Sequence, residues 1–200
     1  MKISIDIDGV LADFAAAAYP IMKEVLAARD VEIGPYPPTA WNWSDYGATE
    51  LDVHEMWKRI RAEENWYEGL NALQGIVDLR KALFCGLFHK NDLVFLTSRV
   101  NTAGRGAWKQ TANWIEEKLA IRNPEVFVVP NNGSKVMALK ALGASSHLDD
   151  YPPTAISCGA VCRSFLLQQP WNEVDIRRYS IKSVSSVERY LKAIGIWREQ

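Results

Sequence analysis

The sequence predicts an α/β fold, a doubly wound parallel sheet interrupted early by a helical insert. Three observations predict it. Ile3, Ile5 and Ile7 alternate with polar residues and run into Asp8-Gly9, a strand ending in a tight turn. Beyond Leu73, helix-length and strand-length apolar patterns alternate repeatedly. Between them lies a stretch of different texture, with Pro35, Pro37 and Pro38 followed by Trp41, Trp43 and Tyr46.

Taken in order, Met1 to Asp8 reads as the first strand and Leu11 to Arg29 as a helix, bent near Pro20. Val31 to Tyr46 reads as a loop with aromatic anchors. A helix resumes after Thr49, an N-cap with Asp52 three residues on and Met56, Trp57 and Ile60 on one face. Gly75–Phe88 is a helix, Leu93–Leu96 a strand and Ala107–Ala120 a helix; Val126–Val129, Ser134–Leu142 and Ser146–Leu148 follow as strand, helix and strand. Ala160 to Leu167 holds one or two strands, and Ser183 to Ile194 makes a closing helix with Val184, Val187, Leu191 and Ile194 inward. The expected organisation is an α/β core over residues 1–13 and 73–200, with a small Trp-rich helical cap over 14–72.

At 200 residues there is chain enough for one sizeable core. With 23 Lys+Arg against 24 Asp+Glu the net charge is −1, so no overall basic field favours a polynucleotide and a small ligand is the better expectation. Asp6 and Asp8 interrupt the start as a signal peptide, and no apolar run is long enough to span a membrane, which reads as a cytoplasmic protein. The three cysteines, Cys85, Cys158 and Cys162, lack a zinc-like spacing and are expected as reduced, buried thiols. The three histidines, His54, His89 and His147, are scattered and expected at the surface or in the core.

In an open parallel sheet, ligands bind beyond the carboxyl ends of the strands, so polar residues directly after apolar runs are those that converge. Four places qualify: Asp6 and Asp8, Thr97 and Ser98 after Val94-Phe95-Leu96, Lys135 at a helix start, and Asp149 with Asp150 after Leu148. Gathered carboxylates repel by roughly 4 kcal/mol per close pair at an effective dielectric near 20, so the cluster calls for a cation, and all-oxygen ligands favour Mg²⁺. A divalent ion, a lysine and a hydroxyl around one point suit a phosphoryl group. Asp6 is then the candidate nucleophile, and Asp8 the candidate acid and base.

These residues, Asp6-Ile7-Asp8-Gly9-Val10, Thr97-Ser98, Lys135 and Asp149-Asp150, resemble in order the four motifs of the haloacid dehalogenase superfamily, over roughly residues 1–13 and 73–195. The resemblance implies a Rossmann-like core. It also implies Mg²⁺ held by Asp6, the Asp8 backbone carbonyl and Asp150 with Asp149 in support, and phosphate held by Thr97, Ser98, Lys135 and Gly9. The second Asp looks like that of the phosphatase branches. Asp6 to Phe14, the Trp-rich insert, Leu96-Thr97-Ser98 and Gln169-Pro170-Trp171-Asn172 look like the 5'(3')-deoxyribonucleotidase group, although Arg99 stands where its animal members carry proline.

That likeness implies hydrolysis of (deoxy)nucleoside monophosphates, with Phe14 near the substrate and Trp171-Asn172 closing over it; Trp41 and Trp43, in a loop between helices that suits a binding edge, and Arg99 are expected at the substrate from the residues themselves. Trp and Tyr faces stack on bases for about 1–3 kcal/mol each, although core packing is the default for any one aromatic of the insert. The alternatives are a sugar phosphate or a nucleic-acid 3'-phosphate as substrate, and a non-catalytic nucleotide- or protein-binding module. Oligomeric state is left open, a homodimer through exposed aromatics included.

Overall fold

A computed structural model of the chain describes residues 2–197, so Met1, expected in the first strand, and residues 198–200 lie outside the described residues. Among the described residues, six strands form one parallel sheet: β1 (Lys2–Ile5), β2 (Leu93–Thr97), β3 (Val126–Val128), β4 (Ala144–Asp149), β5 (Arg163–Leu167) and β6 (Ser183–Val184), in the order β3-β2-β1-β4-β5-β6. The strand order reverses between β1 and β4, and there the crevice beyond their carboxyl ends opens. Helices cover both faces, and Ile3, Ile5, Leu93, Phe95 and Leu148 lie in one buried cluster with Trp114, Val187 and Tyr190, while Ser4, Ser146, His147 and Asp149 are buried polar residues of the same strands.

The helices are α1 (Phe14–Ala27), α2 (Glu50–Ala62), α3 (Gln74–Phe84), α4 (Ala107–Leu119), α5 (Gly133–Leu142), α6 (Pro152–Cys158), α7 (Glu173–Tyr179) and α8 (Val187–Ala193). Asp13 caps α1 by accepting from the Ala16 N–H at 3.0 Å, and Pro20 lies inside that helix without ending it. Thr49 and Asp52 form the expected capping box at the start of α2, which also sets Asp52 against Arg29 of the loop after α1.

Between β1 and α3, α1 and α2 enclose their own apolar cluster of Ala18, Met22, Leu26, Trp43, Met56 and Ile60. The chain enters and leaves this insert through paired segments: Ala12 bridges Ala72 antiparallel, the Asp13 N–H donates to the Asn71 carbonyl at 2.9 Å, and that of Leu73 to Leu11 at 2.7 Å. Tyr67 and Leu70 fall within the Trp-rich stretch but belong to the sheet's core, where the Trp114 indole N–H donates to the Leu70 carbonyl at 2.8 Å.

Three expectations need correcting. Ser183–Val184 is an edge strand rather than the start of the closing helix, which begins after Ser186, whose hydroxyl caps it through the Arg189 N–H. Helix α7 was not expected, because it buries none of its residues and so has no apolar stripe to read. Cys85 is exposed just past α3 rather than buried. Among the described residues no helix is long and apolar enough to cross a membrane.

Candidate active site

Each strand at the reversal delivers an acid to the same end of the sheet. Asp6 directly follows β1, Asp149 is the last residue of β4, and Asp150 comes next. One carboxylate oxygen from each of the three lies within 4.8 Å of those from the others. Lys135, the third residue of α5, is buried between them, its Nζ 2.9 Å from Asp6 Oδ2 and 2.8 Å from Asp149 Oδ2. Behind Asp149, the buried His147 ring links Asp149 Oδ2 at 3.1 Å to the Ser4 hydroxyl at 3.0 Å, while the Tyr151 N–H donates to Asp149 Oδ1 at 2.9 Å.

The three acids divide by environment. Burial pushes the Asp6 carboxyl up to about 7, with the Asp149 and Asp8 charges adding to the rise and Lys135 opposing it. Burial, reinforced by the Asp149 and Asp6 charges, pushes Asp150 well above the carboxylate range. Asp149 goes the other way: burial disfavours its charge, but Lys135 and the bond from His147 outweigh it and hold it below the usual value. Lys135 is burdened by burial too, yet its two carboxylate partners hold it above the ordinary lysine value. Burial pushes His147 down against the pull of Asp149, so the ring is neutral near pH 7.

Asp6 Oδ1 and Asp150 Oδ1 are buried without a hydrogen-bond partner. Two unpartnered carboxylate oxygens in a cluster of three acids with one lysine are a donor set that fits a hard divalent cation with oxygen ligands.

Asp8 stands apart. Its carboxylate is outside the three-acid cluster and takes two bonds from Arg99, Nε to Oδ2 at 2.9 Å and Nη2 to Oδ1 at 2.6 Å. Arg99 was expected at the substrate. Instead it is buried, its guanidinium also donates to the Thr111 hydroxyl at 2.9 Å, and it lies 4.3 Å from the Tyr67 ring centroid, so its donors face Asp8 and the core. A residue number says nothing of which way a side chain turns, and the partners Tyr67 and Thr111 come from distant segments.

The remaining expected residues fall as follows. Thr97 is buried at the end of β2 and Ser98 half-buried after it. Gly9 has a φ of 74°, and a Cβ there would overlap the Asp150 carboxylate, so the turn after β1 needs glycine. Phe14, Trp41, Trp43, Trp57 and Trp171 line one cleft that opens beside Asp8 and Gly9. Phe14 stacks on Trp57 with centroids 5.2 Å apart. Trp41 is half-exposed and packs against Tyr151 and Trp171, at 5.1 and 6.2 Å. Trp43, expected at a loose binding edge, is a core residue of the insert, packed with Met56, and contributes only part of the cleft wall.

His147 and the Gln169–Asn172 turn carry more of the site than the sequence reading gave them. Gln169 Nε2 donates to the Gly9 carbonyl at 2.6 Å, and the Trp171 indole to Asp150 Oδ2 at 2.9 Å. The Asn172 amide donates to the Asp150 and Leu167 carbonyls, each at 2.8 Å. The signal was available: this turn follows the apolar run Phe165-Leu166-Leu167, as Asp149 follows Leu148.

No protein-family profile matches the sequence, and none of the curated proteins does. Solved structures do match in fold. A hydrolase from Pseudomonas syringae superposes with a TM-score of 0.54 at 14% identity, over 96% of this chain and 97% of that one. A β-phosphoglucomutase from Clostridium difficile gives 0.52 at 15%, over 96% and 95%. A chain described as a haloacid dehalogenase-like hydrolase from Bacteroides fragilis gives 0.56 at 12%, over 94% and 98%. The chain therefore has the Rossmann-like α/β fold shared by these hydrolases over nearly its whole length.

Proposed function

We propose that the protein is a magnesium-dependent phosphomonoester hydrolase working through an aspartyl-phosphate, and that its substrates are (deoxy)nucleoside monophosphates. The observation that carries the first part is the buried set of Asp6, Asp149 and Asp150 around Lys135, with one oxygen each of Asp6 and Asp150 left without a partner. Asp6, Asp150 and the Asp8 main-chain carbonyl, with Asp149 in support, would hold Mg²⁺, which when bound neutralises charge on the phosphoryl oxygens.

Asp6 attacks phosphorus as the ester P–O bond breaks, and Asp8 protonates the departing alcohol oxygen. A water then attacks the phosphoryl group, Asp8 takes its proton, and phosphate leaves with Asp6 regenerated. Lys135 holds the attacking carboxylate and the phosphoryl oxygens, with the Thr97 and Ser98 groups and the turn at Gly9 beside them. The two-point grip of Arg99 keeps Asp8 anchored at the mouth of the cleft, where a leaving group would sit. The insert over residues 14–72 acts as a cap that excludes bulk water.

The nucleoside is supported by the cleft itself. Phe14, Trp41, Trp57 and Trp171 offer flat apolar faces beside Asp8, which suit a planar base better than a polyol. The second reading, a sugar phosphate, is favoured by the fold match to a β-phosphoglucomutase over nearly the whole of both chains. Phosphate release measured across nucleoside monophosphates, sugar phosphates and 3'-phosphorylated oligonucleotides decides among these. Turnover on the nucleotides supports the reading, turnover on the sugar phosphates alone replaces its second part, and no turnover on any ester leaves a binding module.

A further inference from the structure

Among the described residues, Asp150 is the acid of the cluster that no Lys or Arg pairs with. Lys135 reaches Asp6 and Asp149, and Arg99 takes Asp8, while Asp150 is fully buried. A buried carboxylate in that position is costly unless something fixes and partly satisfies it. What meets it is the turn after β5. The Trp171 indole N–H donates to Oδ2 at 2.9 Å, and the Asn172 amide pins the Asp150 carbonyl to that of Leu167 across β4 and β5. Gly9, lacking a Cβ, leaves the space that Oδ2 occupies, and Gln169 holds the Gly9 carbonyl.

From this geometry we infer that Trp171 is a positioning residue for the cation site: its N–H fixes the plane of the Asp150 carboxylate so that Oδ1 is presented to the ion. An indole N–H has one proton to give, so it takes one carboxylate oxygen and leaves the other, Oδ1, buried and without a partner. Carboxylates that ligate metals are ordinarily held through such outer hydrogen bonds, and losing one costs about 10–100-fold in metal affinity. The same ring also touches Trp41 of the insert, with centroids 6.2 Å apart, so the cleft wall and the ligand's anchor are one side chain. The inference rests on the reading of the acid cluster as a divalent-cation site.

Mn²⁺ titrated into the full-length, EDTA-stripped and desalted protein, with free Mn²⁺ counted by its paramagnetic resonance signal, tests it. Trp171→Phe keeps a ring in place and removes the N–H. The Mn²⁺ dissociation constant is expected to rise by about 10–100-fold, and the metal-free protein still unfolds in one cooperative transition, at a lower temperature because the buried Asp150 loses a donor. Placing β-(3-benzothienyl)alanine at position 171 replaces the N–H by sulfur at constant shape, and it is expected to give the same loss even if the Phe variant folds poorly. Wild-type binding with an unchanged constant in both variants would overturn the role of Trp171 and leave the cation site standing. A wild-type protein that binds no Mn²⁺ would overturn the cation site itself, and the inference with it.

Discussion

Asp6 and Asp8 are two residues apart but stand in different surroundings, the first among buried acids and the second against a guanidinium. On the proposed mechanism, Asp6→Asn removes phosphate release altogether, whereas Asp8→Asn lowers kcat by about 10²–10⁴-fold. The Asp8 loss is expected to be smaller for an aryl phosphate, whose leaving group needs no proton, and steady-state rates on both esters check it. Protonation also sets stability in the metal-free protein. Asp6 and Asp150 have raised values, so their contribution is complete below about pH 4 and shrinks as pH rises, that of Asp6 being lost as pH passes through about 7; His147, pushed down, contributes in the opposite sense below its ordinary value. Two groups that bind protons in the fold outweigh one that gives its proton up, so urea unfolding in EDTA is expected to show stability falling between about pH 4 and 6.5. Asp149 works below that window, where acid removes the contribution of its pairing with Lys135. A rise in stability across the window would contradict the assignment of proton binding to Asp6 and Asp150.

The insert is the element in which propensity, packing and the proposed substrate contact meet. Its second helix starts at a capping box, and Thr49→Ala is expected to cost about 1 kcal/mol in urea unfolding, since the hydroxyl bonds both the Asp52 carboxylate and its N–H. Trp41 lies on the opposite account, half-exposed and packed at a tilt against Tyr151 and Trp171 rather than buried. Trp41→Ala is expected to raise KM for a nucleoside monophosphate by about 5- to 150-fold, the range that one stacked base spans, with unfolding little changed. The capping box, the long helices and the central strands were legible because each has a local signature: a cap residue, a stripe, or a run of β-branched and aromatic residues. Helix α7 and the edge strand Ser183–Val184 were not, because a helix without a buried face and a two-residue strand carry no periodicity. Trp43 misled for a related reason, since its place in a Pro-rich loop is local information while its packing on Met56 is tertiary.

At the scale of the molecule, the strand order puts Asp6, Thr97 and Asp149-Asp150 at one end of a single sheet, and that convergence could be read from polar residues placed after apolar runs. What could not be read is which way each side chain turns once there. Arg99 grips Asp8 because Tyr67 and Thr111, distant in sequence, close around it, and Trp171 reaches Asp150 across the β4–β5 edge. The fold match to hydrolases at 12–15% identity fits the same picture, a shared sheet carrying its own insert and turns. The central claim is that this convergence cleaves phosphate monoesters with the help of Mg²⁺, and inorganic phosphate released from a panel of nucleoside monophosphates and sugar phosphates, in Mg²⁺ and in EDTA, tests it most directly. The account predicts turnover of at least the nucleotides in Mg²⁺, none in EDTA, and none in either with Asp6→Asn. Equal turnover in EDTA, or full activity in the Asp6→Asn protein, would contradict it.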